Sequence, residues 1–321
     1  MAQPTDLNSS SAPPLARCLF LAGPTAVGKS AIALALAEQI GGEIISVDSM
    51  QVYRGLDLGT AKPTAEERRR VPHHLLDVCD LNASFDAAQF IRLAEKAVAE
   101  IQSRQRVPIF CGGTGLYFKA FMDGLGEAPS GNPELRAELA TLPFETLLRE
   151  LRERDPAAYE KMDKQNPRRV IRAVEVIRLT GKKISEQRAE WKSGQPNVQS
   201  PMSKAIFCFT RSAADLHTRI NARVDEMFAR GLVEETRNLL NHGLAENKFA
   251  LQAIGYRQVA EHLRGERDLA ATIELVKIRT RQFAKRQLTW FRRHGHCQWI
   301  ELNAGEPVSV ALEKIAAAAS L

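Results

Sequence analysis

Residues 23 to 30 read GPTAVGKS, and Gly23, Gly28, Lys29 and Ser30 satisfy the spacing G-x-x-x-x-G-K-[ST]. That pattern binds polyphosphate for physical reasons. Glycines let the backbone turn so that successive N–H groups and a helix N-terminus face an anion. The lysine ammonium neutralises terminal phosphate oxygens, and the hydroxyl at the last position can hold Mg²⁺. Gly23, Pro24, Thr25, Ala26, Val27, Gly28, Lys29 and Ser30 are therefore the candidate phosphate cradle, with Ser30 as the Mg²⁺ ligand. The alternative is a glycine-rich turn carrying an exposed lysine, and the flanks argue against it. CLFLA at 18–22 has the continuous apolar character of a buried parallel strand, and AIALALAEQI at 31–40 reads as a helix.

A phosphate loop alone does not say which reaction follows. NTP-hydrolysing proteins usually end a further buried strand on an acid that orients the metal shell. Here the strand VPIFC at 107–111 runs into Gly112, Gly113 and Thr114 instead, which weakens an ATPase reading. EIISVDS at 43–49 is a second buried strand, and it brings Asp48 to its end. A carboxylate there is placed to act as general base on a group attacking a bound phosphate ester, or merely to cap the loop that follows. A small-molecule kinase would use the same layout.

The elements that position these residues alternate strand and helix, which implies an α/β fold with a parallel sheet and ligands at the carboxyl ends of its strands. The segment SMQVYRGLDLGTAKPTAEERRRVPHHLLDV at 49–78 has little periodicity and reads as a long functional loop. A helix is expected over about 86–104. From 129 to 200 the strand signal vanishes and the pattern turns helical. The expected organisation is a disordered tail at 1–16, a P-loop core over 17–128 and 201–321, and an inserted helical domain at 129–200. Within the insertion Asn166 can cap a helix that begins at Pro167 and ends near Gly181. Its first turns carry Arg168, Arg169 and Arg172, where a helix normally prefers acids, which suggests an anion. AIFCF at 205–209 restores a strand, and the remainder reads as mostly helix.

The chain has 321 residues, 44 Lys and Arg against 38 Asp and Glu, and a net charge of +6. No acid occurs from Leu275 to Ile300, where Arg279, Arg281, Lys285, Arg286, Arg292 and Arg293 interleave with Phe283, Trp290 and Phe291. Such a face suits nucleic-acid phosphates, the alternative being a solvated surface whose aromatics point inward. The five cysteines, Cys18, Cys79, Cys111, Cys208 and Cys297, show neither C-x-x-C nor zinc spacing, which fits a reducing cytoplasm. The N-terminus lacks the apolar run of a signal peptide, and no stretch is apolar enough to span a membrane.

Taken together, GPTAVGKS, IISVDSMQVYRGLDLGTAKP, PHHLLD, CGGTGLYFKA, NPRRVIRAVEV, IGYRQ and TRQFAKRQLTWFR resemble the bacterial tRNA dimethylallyltransferases. The blocks follow the family order over most of the chain, from about residue 18 to 300. The resemblance implies a P-loop NTPase-like parallel-sheet core with an inserted, mostly helical tRNA-binding domain. It implies transfer of a dimethylallyl group from dimethylallyl diphosphate to N6 of adenosine 37, beside the anticodon of tRNAs that read codons beginning with U. The phosphate loop would then cradle the leaving diphosphate, although a nucleotide-binding label is natural for the motif. Asp48 would take the N6 proton, while Lys29, Mg²⁺ on Ser30, and Arg219 of the HTRI segment would offset charge on the departing diphosphate. The target base would have to be extruded from its stack.

By the same resemblance, Asp48, Ser49, Met50, Gln51, Thr114 and Arg136 face the tRNA anticodon stem-loop. So do Arg168, Arg169, Val170, Ile171 and Arg172, and Gln252, Ala253, Ile254, Gly255, Tyr256 and Arg257. The expected working unit is a cytoplasmic monomer. The chain departs from the pattern just before LHTRI, where many members carry an arginine and this chain has Ala213, with Arg211 two residues earlier. Either Arg211 substitutes by a local shift or one phosphate contact is missing. The rival from the same chemistry is an adenylate isopentenyltransferase acting on free AMP or ATP, which needs neither inserted helices nor a basic C-terminal half. A rival from another class is an RNA-binding protein with a vestigial P-loop, against which Lys29, Ser30 and Asp48 stand intact.

Overall fold

The computed structural model describes residues 18–125, 129, 131–186, 206–294 and 297–319. The tail expected at 1–16 lies outside them. The described residues fall into two compact units, one within 1–119 and 198–321 and one within 120–197.

The larger unit is built on six parallel strands in the order β3-β2-β4-β1-β5-β6. They are β1 Leu19–Ala22, β2 Gly42–Val47, β3 His73–His74, β4 Val107–Gly112, β5 Ile206–Thr210 and β6 Cys297–Glu301. Helices cover the sheet, so its central strands are buried on both faces and read as unbroken apolar runs. Every residue of β2 is buried. Helix α1, Lys29–Ile40, lies on the sheet through Ile32, Ala33, Leu36 and Ala37, packed in one apolar cluster with Leu21, Ile109 and Phe209. Helix α3, Ala87–Ser103, starts on a reciprocal capping box between Asp86 and Gln89, which satisfies two otherwise unpaired backbone donors.

The structure differs from the sequence reading in two places. The stretch expected as a loop at 49–78 contains helix α2, Ala65–Arg70, and β3, which adds an edge to the sheet. The stretch after β5 is mostly helix, as expected, but it also holds a strand that the sequence reading did not place, β6, which pairs with β5 from Ile206↔Cys297 to Thr210↔Glu301. Only Ile300 of β6 is buried, so the strand carries no apolar run to announce it.

The smaller unit is helical. Helix α4, Gly115–Asp123, runs into it, and α5 Pro133–Thr141, α6 Phe144–Arg154, α7 Pro156–Lys161 and α8 Pro167–Thr180 follow. Leu139, Leu147, Leu151, Val170, Val174 and Ile177 form its core. Helix α8 begins as its residues dictate: Asn166 Oδ1 accepts from Arg169 N at 3.3 Å, Pro167 opens the helix, and Gly181 closes it at φ 69°. The insertion's 187–200 stretch lies outside the described residues.

The remaining helices of the larger unit are α9 Ala213–Ala229, α10 Leu232–Leu240, α11 Tyr256–Leu263, α12 Leu269–His294 and α13 Val308–Ala319. No helix among the described residues is long and apolar enough to cross a membrane.

Candidate functional site

The loop between β1 and α1 takes the shape its glycines permit. Gly23 has φ 151°, and a β-carbon on it would stand 2.9 Å from the carbonyl oxygen of Phe209. Gly28 has φ 109°, a conformation that L side chains rarely adopt, and it leads directly into the first turn of α1. The amides at the start of α1 therefore face outward at a helix N-terminus, which favours an anion. Lys29 folds back over the loop, with Nζ donating to the Pro24 carbonyl at 3.2 Å. Burial pushes its ammonium below the usual lysine range, opposed by nearby Cys111. Ser30 is exposed at the same turn, and its hydroxyl makes no hydrogen bond among the described residues.

Three side chains brace this loop from distant positions. Arg219 on α9 donates from Nε to the Ala26 carbonyl at 2.8 Å, and Arg211 donates from Nε to the Val27 carbonyl at 2.7 Å. Gln287 on α12 is buried and makes a two-way link. Its Oε1 accepts from Thr25 N at 2.8 Å, and its Nε2 donates to the Gly113 carbonyl at 3.0 Å. The phosphate loop is thereby tied to the turn after β4. Replacing Gln287 with Leu should leave one buried donor and one acceptor unpaired, which costs about 1–3 kcal/mol per group. The expected result is a lower thermal midpoint together with weaker anion binding at the loop; a melting curve that superimposes on wild type would remove this bracing role.

Asp48 stands one residue beyond β2. Its Oδ1 accepts from Met50 N at 2.8 Å and Gln51 N at 3.3 Å, and its Oδ2 has no hydrogen-bond partner among the described residues. One oxygen is thus fixed by the loop and the other has no hydrogen bond among the described residues. Lys29 and Arg223 both feel the Asp48 charge. Thr114 fixes the neighbouring chain, its Oγ1 accepting from Ser49 N at 3.1 Å. Gln51 uses its side chain internally, accepting from Ser46 Oγ at 2.8 Å and donating to the Thr60 carbonyl at 3.0 Å. Buried Lys62 holds the rest of this segment through the Tyr53 carbonyl, Asp57 and Asp77.

A cavity of about 990 Å³ opens over the phosphate loop, lined among others by Gly28, Lys29, Ser30, Gln51, Arg219 and Arg223. Arg223 is the functional candidate that sequence reasoning missed. It has no hydrogen bond or ion pair among the described residues, and burial pushes its guanidinium below the usual arginine range against the pull of Asp48. Its spacing of four from Arg219 puts both on one face of α9, and that spacing was the available signal.

The residues expected to meet RNA fall into different environments. Gln252 and Arg257 are exposed, and Arg257 pairs with Glu261 at 2.9 Å. Ala253 and Tyr256 are buried. The Tyr256 hydroxyl donates to Glu235 at 2.5 Å and accepts from Gly59 N at 3.0 Å, and burial pushes its pKa above the usual tyrosine value. Its side chain shapes the 58–59 turn and is not presented to solvent. On α8, Arg168 and Arg169 are exposed, whereas Val170 belongs to the apolar core with Ile171 packed against it. Arg172 and Arg136 both grip fully buried Glu175, at 2.7 and 2.9 Å. Glu175 also accepts from Asn132 N at 2.7 Å. Burial opposes the Glu175 charge, but Arg172, the Asn132 amide and Arg136 outweigh it and hold the carboxyl below its usual range. The acid that balances these arginines thus lies one turn further along the same helix. On α12, Phe291 is buried in the core, while Arg279, Lys285, Arg286, Arg292 and Arg293 are exposed.

A phosphate loop at the head of a parallel sheet, with a half-free carboxylate ending the next strand and arginines closing over the loop, defines a P-loop group-transfer enzyme. The IPP transferase family profile matches residues 51–294. The "tRNA dimethylallyltransferase 1" of Trichlorobacter lovleyi is 46% identical over 288 residues, spanning 88% of this chain and 93% of that protein. The full-length tRNA isopentenylpyrophosphate transferase of Bacillus halodurans superposes with a TM-score of 0.69 at 36% identity, covering 95% of this chain and 97% of that one. A eukaryotic dimethylallyltransferase acting on tRNA superposes with a TM-score of 0.78 at 27% identity, covering 94% and 77%. The chain belongs to the IPP transferase family.

Proposed function

We propose that this chain prenylates tRNA, moving the dimethylallyl group of dimethylallyl diphosphate to N6 of adenosine 37 beside the anticodon. The C–O bond to the diphosphate breaks, the N6–C bond forms, and the amino group loses one proton. Asp48 carries the reading, because its free Oδ2 can take that proton while Oδ1 stays pinned to the loop. The adenine amino nitrogen is a weak nucleophile, its lone pair being delocalised into the ring, and removing the proton as the bond forms contributes about 10²- to 10⁴-fold. The α1 amides, Lys29, Arg219 and Arg223 offset the charge that grows on the diphosphate.

Mg²⁺ suits the same turn. Among the described residues there is no cluster of three or more His, Cys, Asp or Glu to hold a metal. The unbonded Ser30 hydroxyl is the kind of single protein ligand that Mg²⁺ takes when substrate phosphates and waters complete its shell. There it would neutralise diphosphate charge.

Arg168, Arg169, Gln252 and Arg257 present the exposed polar groups for the anticodon stem-loop, with Arg136 and Arg172 organising their unit around Glu175. A tRNA substrate implies action in the cytoplasm, and we take the monomer as the working unit. The test is to incubate the protein with labelled dimethylallyl diphosphate and either bulk tRNA or AMP. Label should enter tRNA and not AMP; label in AMP alone would sink the proposal.

A further inference from the structure

We propose that Arg211 is a direct ligand of the leaving diphosphate, paired with Arg219 across the turn at Gly28. Arg211 ends the segment after β5, just before Ser212 caps α9. Its side chain is 8% exposed. Three acceptors fix the guanidinium: Val27 O at 2.7 Å on Nε, and both Asp215 Oδ2 and Asn303 O at 2.8 Å on Nη1. A guanidinium has five N–H donors. The two on Nη2 remain, and they have no acceptor among the described residues. Nη2 lies 3.6 Å from the point where a β-carbon on Gly28 would stand, and Nη2 of Arg219 lies 3.8 Å from that same point. Among the described residues Arg219 is held only through Nε, which leaves its outer edge without an acceptor there as well.

Two cationic edges with unused donors therefore converge on the turn whose amides already favour an anion. Desolvation and the Arg211 charge both push the Arg219 guanidinium below the usual arginine range. An anion bridging the two removes that repulsion and fills the donors left open, and a diphosphate has the oxygens to do so. Asp215 cancels part of the Arg211 charge before the anion arrives and fixes which edge faces the loop. Ala213, where the resemblance implies an arginine, is an exposed residue in the first turn of α9. This chain reaches the phosphate loop from two residues earlier, along the segment leaving β5. On this proposal Arg211 supplies a substituted contact in place of the arginine that the resemblance implies.

The competing explanation is a strap: Arg211 could join the phosphate loop to Asn303 and do nothing else. Calorimetric titration of the full chain with inorganic diphosphate and Mg²⁺ separates the two. Arg211→Ala and Arg211→Gln should each weaken diphosphate binding at least about tenfold, the loss anticipated for removing charge-assisted hydrogen bonds. In prenyl-transfer assays kcat/KM should fall by a similar factor, with tRNA affinity at the wild-type value. Glutamine keeps donors for the Val27 and Asn303 carbonyls, so it decides the matter if the alanine variant does not fold. A variant that melts earlier but binds diphosphate as tightly as wild type would establish the strap and overturn the proposal. The inference rests on the proposed function only in taking diphosphate as the anion, and this binding is measured without tRNA. A wild type that binds diphosphate through Arg211 yet prenylates no tRNA would defeat the function and leave the arginine's role standing.

Discussion

Asp48→Asn should lower single-turnover prenyl transfer at least about a hundredfold while donor and tRNA affinities stay at wild-type values, because a general base acts in the transition state. Asparagine is the informative replacement. Its side-chain oxygen can still accept from Met50 N and Gln51 N, as Asp48 Oδ1 does, so the loop keeps its shape. The second oxygen becomes an amide nitrogen that can take no proton. Asp48→Ala should match it in rate and add disorder to the 49–51 turn, visible as a lower thermal midpoint. A decline smaller than about tenfold for the asparagine variant, with both substrates bound, would remove Asp48 as the base.

The parts of the site legible in the sequence are those written in consecutive residues. GPTAVGKS encodes its own turn, since the backbone angles at Gly23 and Gly28 follow from local sterics, and apolar runs on either side make the strand and helix that aim it. The place of Asp48 was legible because the buried run of β2 stops just before it, at the sheet's carboxyl edge. Gln287 was not, because its two partners, Thr25 and Gly113, are brought to it only by the folded sheet and α12. Arg223 reads in the sequence as one more charge on an amphipathic helix; that it lines the cavity with no partner among the described residues shows only in the fold. Glu175 misled for the opposite reason. The missing acid in the first turn of α8 suggested an external anion for Arg172, but the balancing carboxylate belongs to the helix itself and is drawn inward by Asn132 and Arg136. Tyr256 sits in a block that looks RNA-facing as sequence, yet its ring fills the space beside Gly59 and its hydroxyl is spent on Glu235. Burial and pairing decide such residues, and neither is local.

Lys29→Met should cut kcat/KM at least about a hundredfold, the scale on which single preorganised groups at a developing charge act. Methionine retains most of the apolar stem, so packing at the start of α1 is largely preserved and the lost quantity is the ammonium. That ammonium is already partly desolvated and anchored on the Pro24 carbonyl, so it needs little reorganisation when charge gathers on the diphosphate. The loss should show in diphosphate affinity as well as in rate, because the product carries the full charge that the transition state only approaches. tRNA affinity should not change. Asp48→Asn predicts the reverse division, rate without affinity, so the two variants measured together separate the base from the cradle. ATP should not be consumed in either reaction. Stoichiometric ADP release during turnover would mean that the loop serves a kinase after all, since a prenyl donor brings its own leaving group and its transfer requires no phosphoanhydride bond to break.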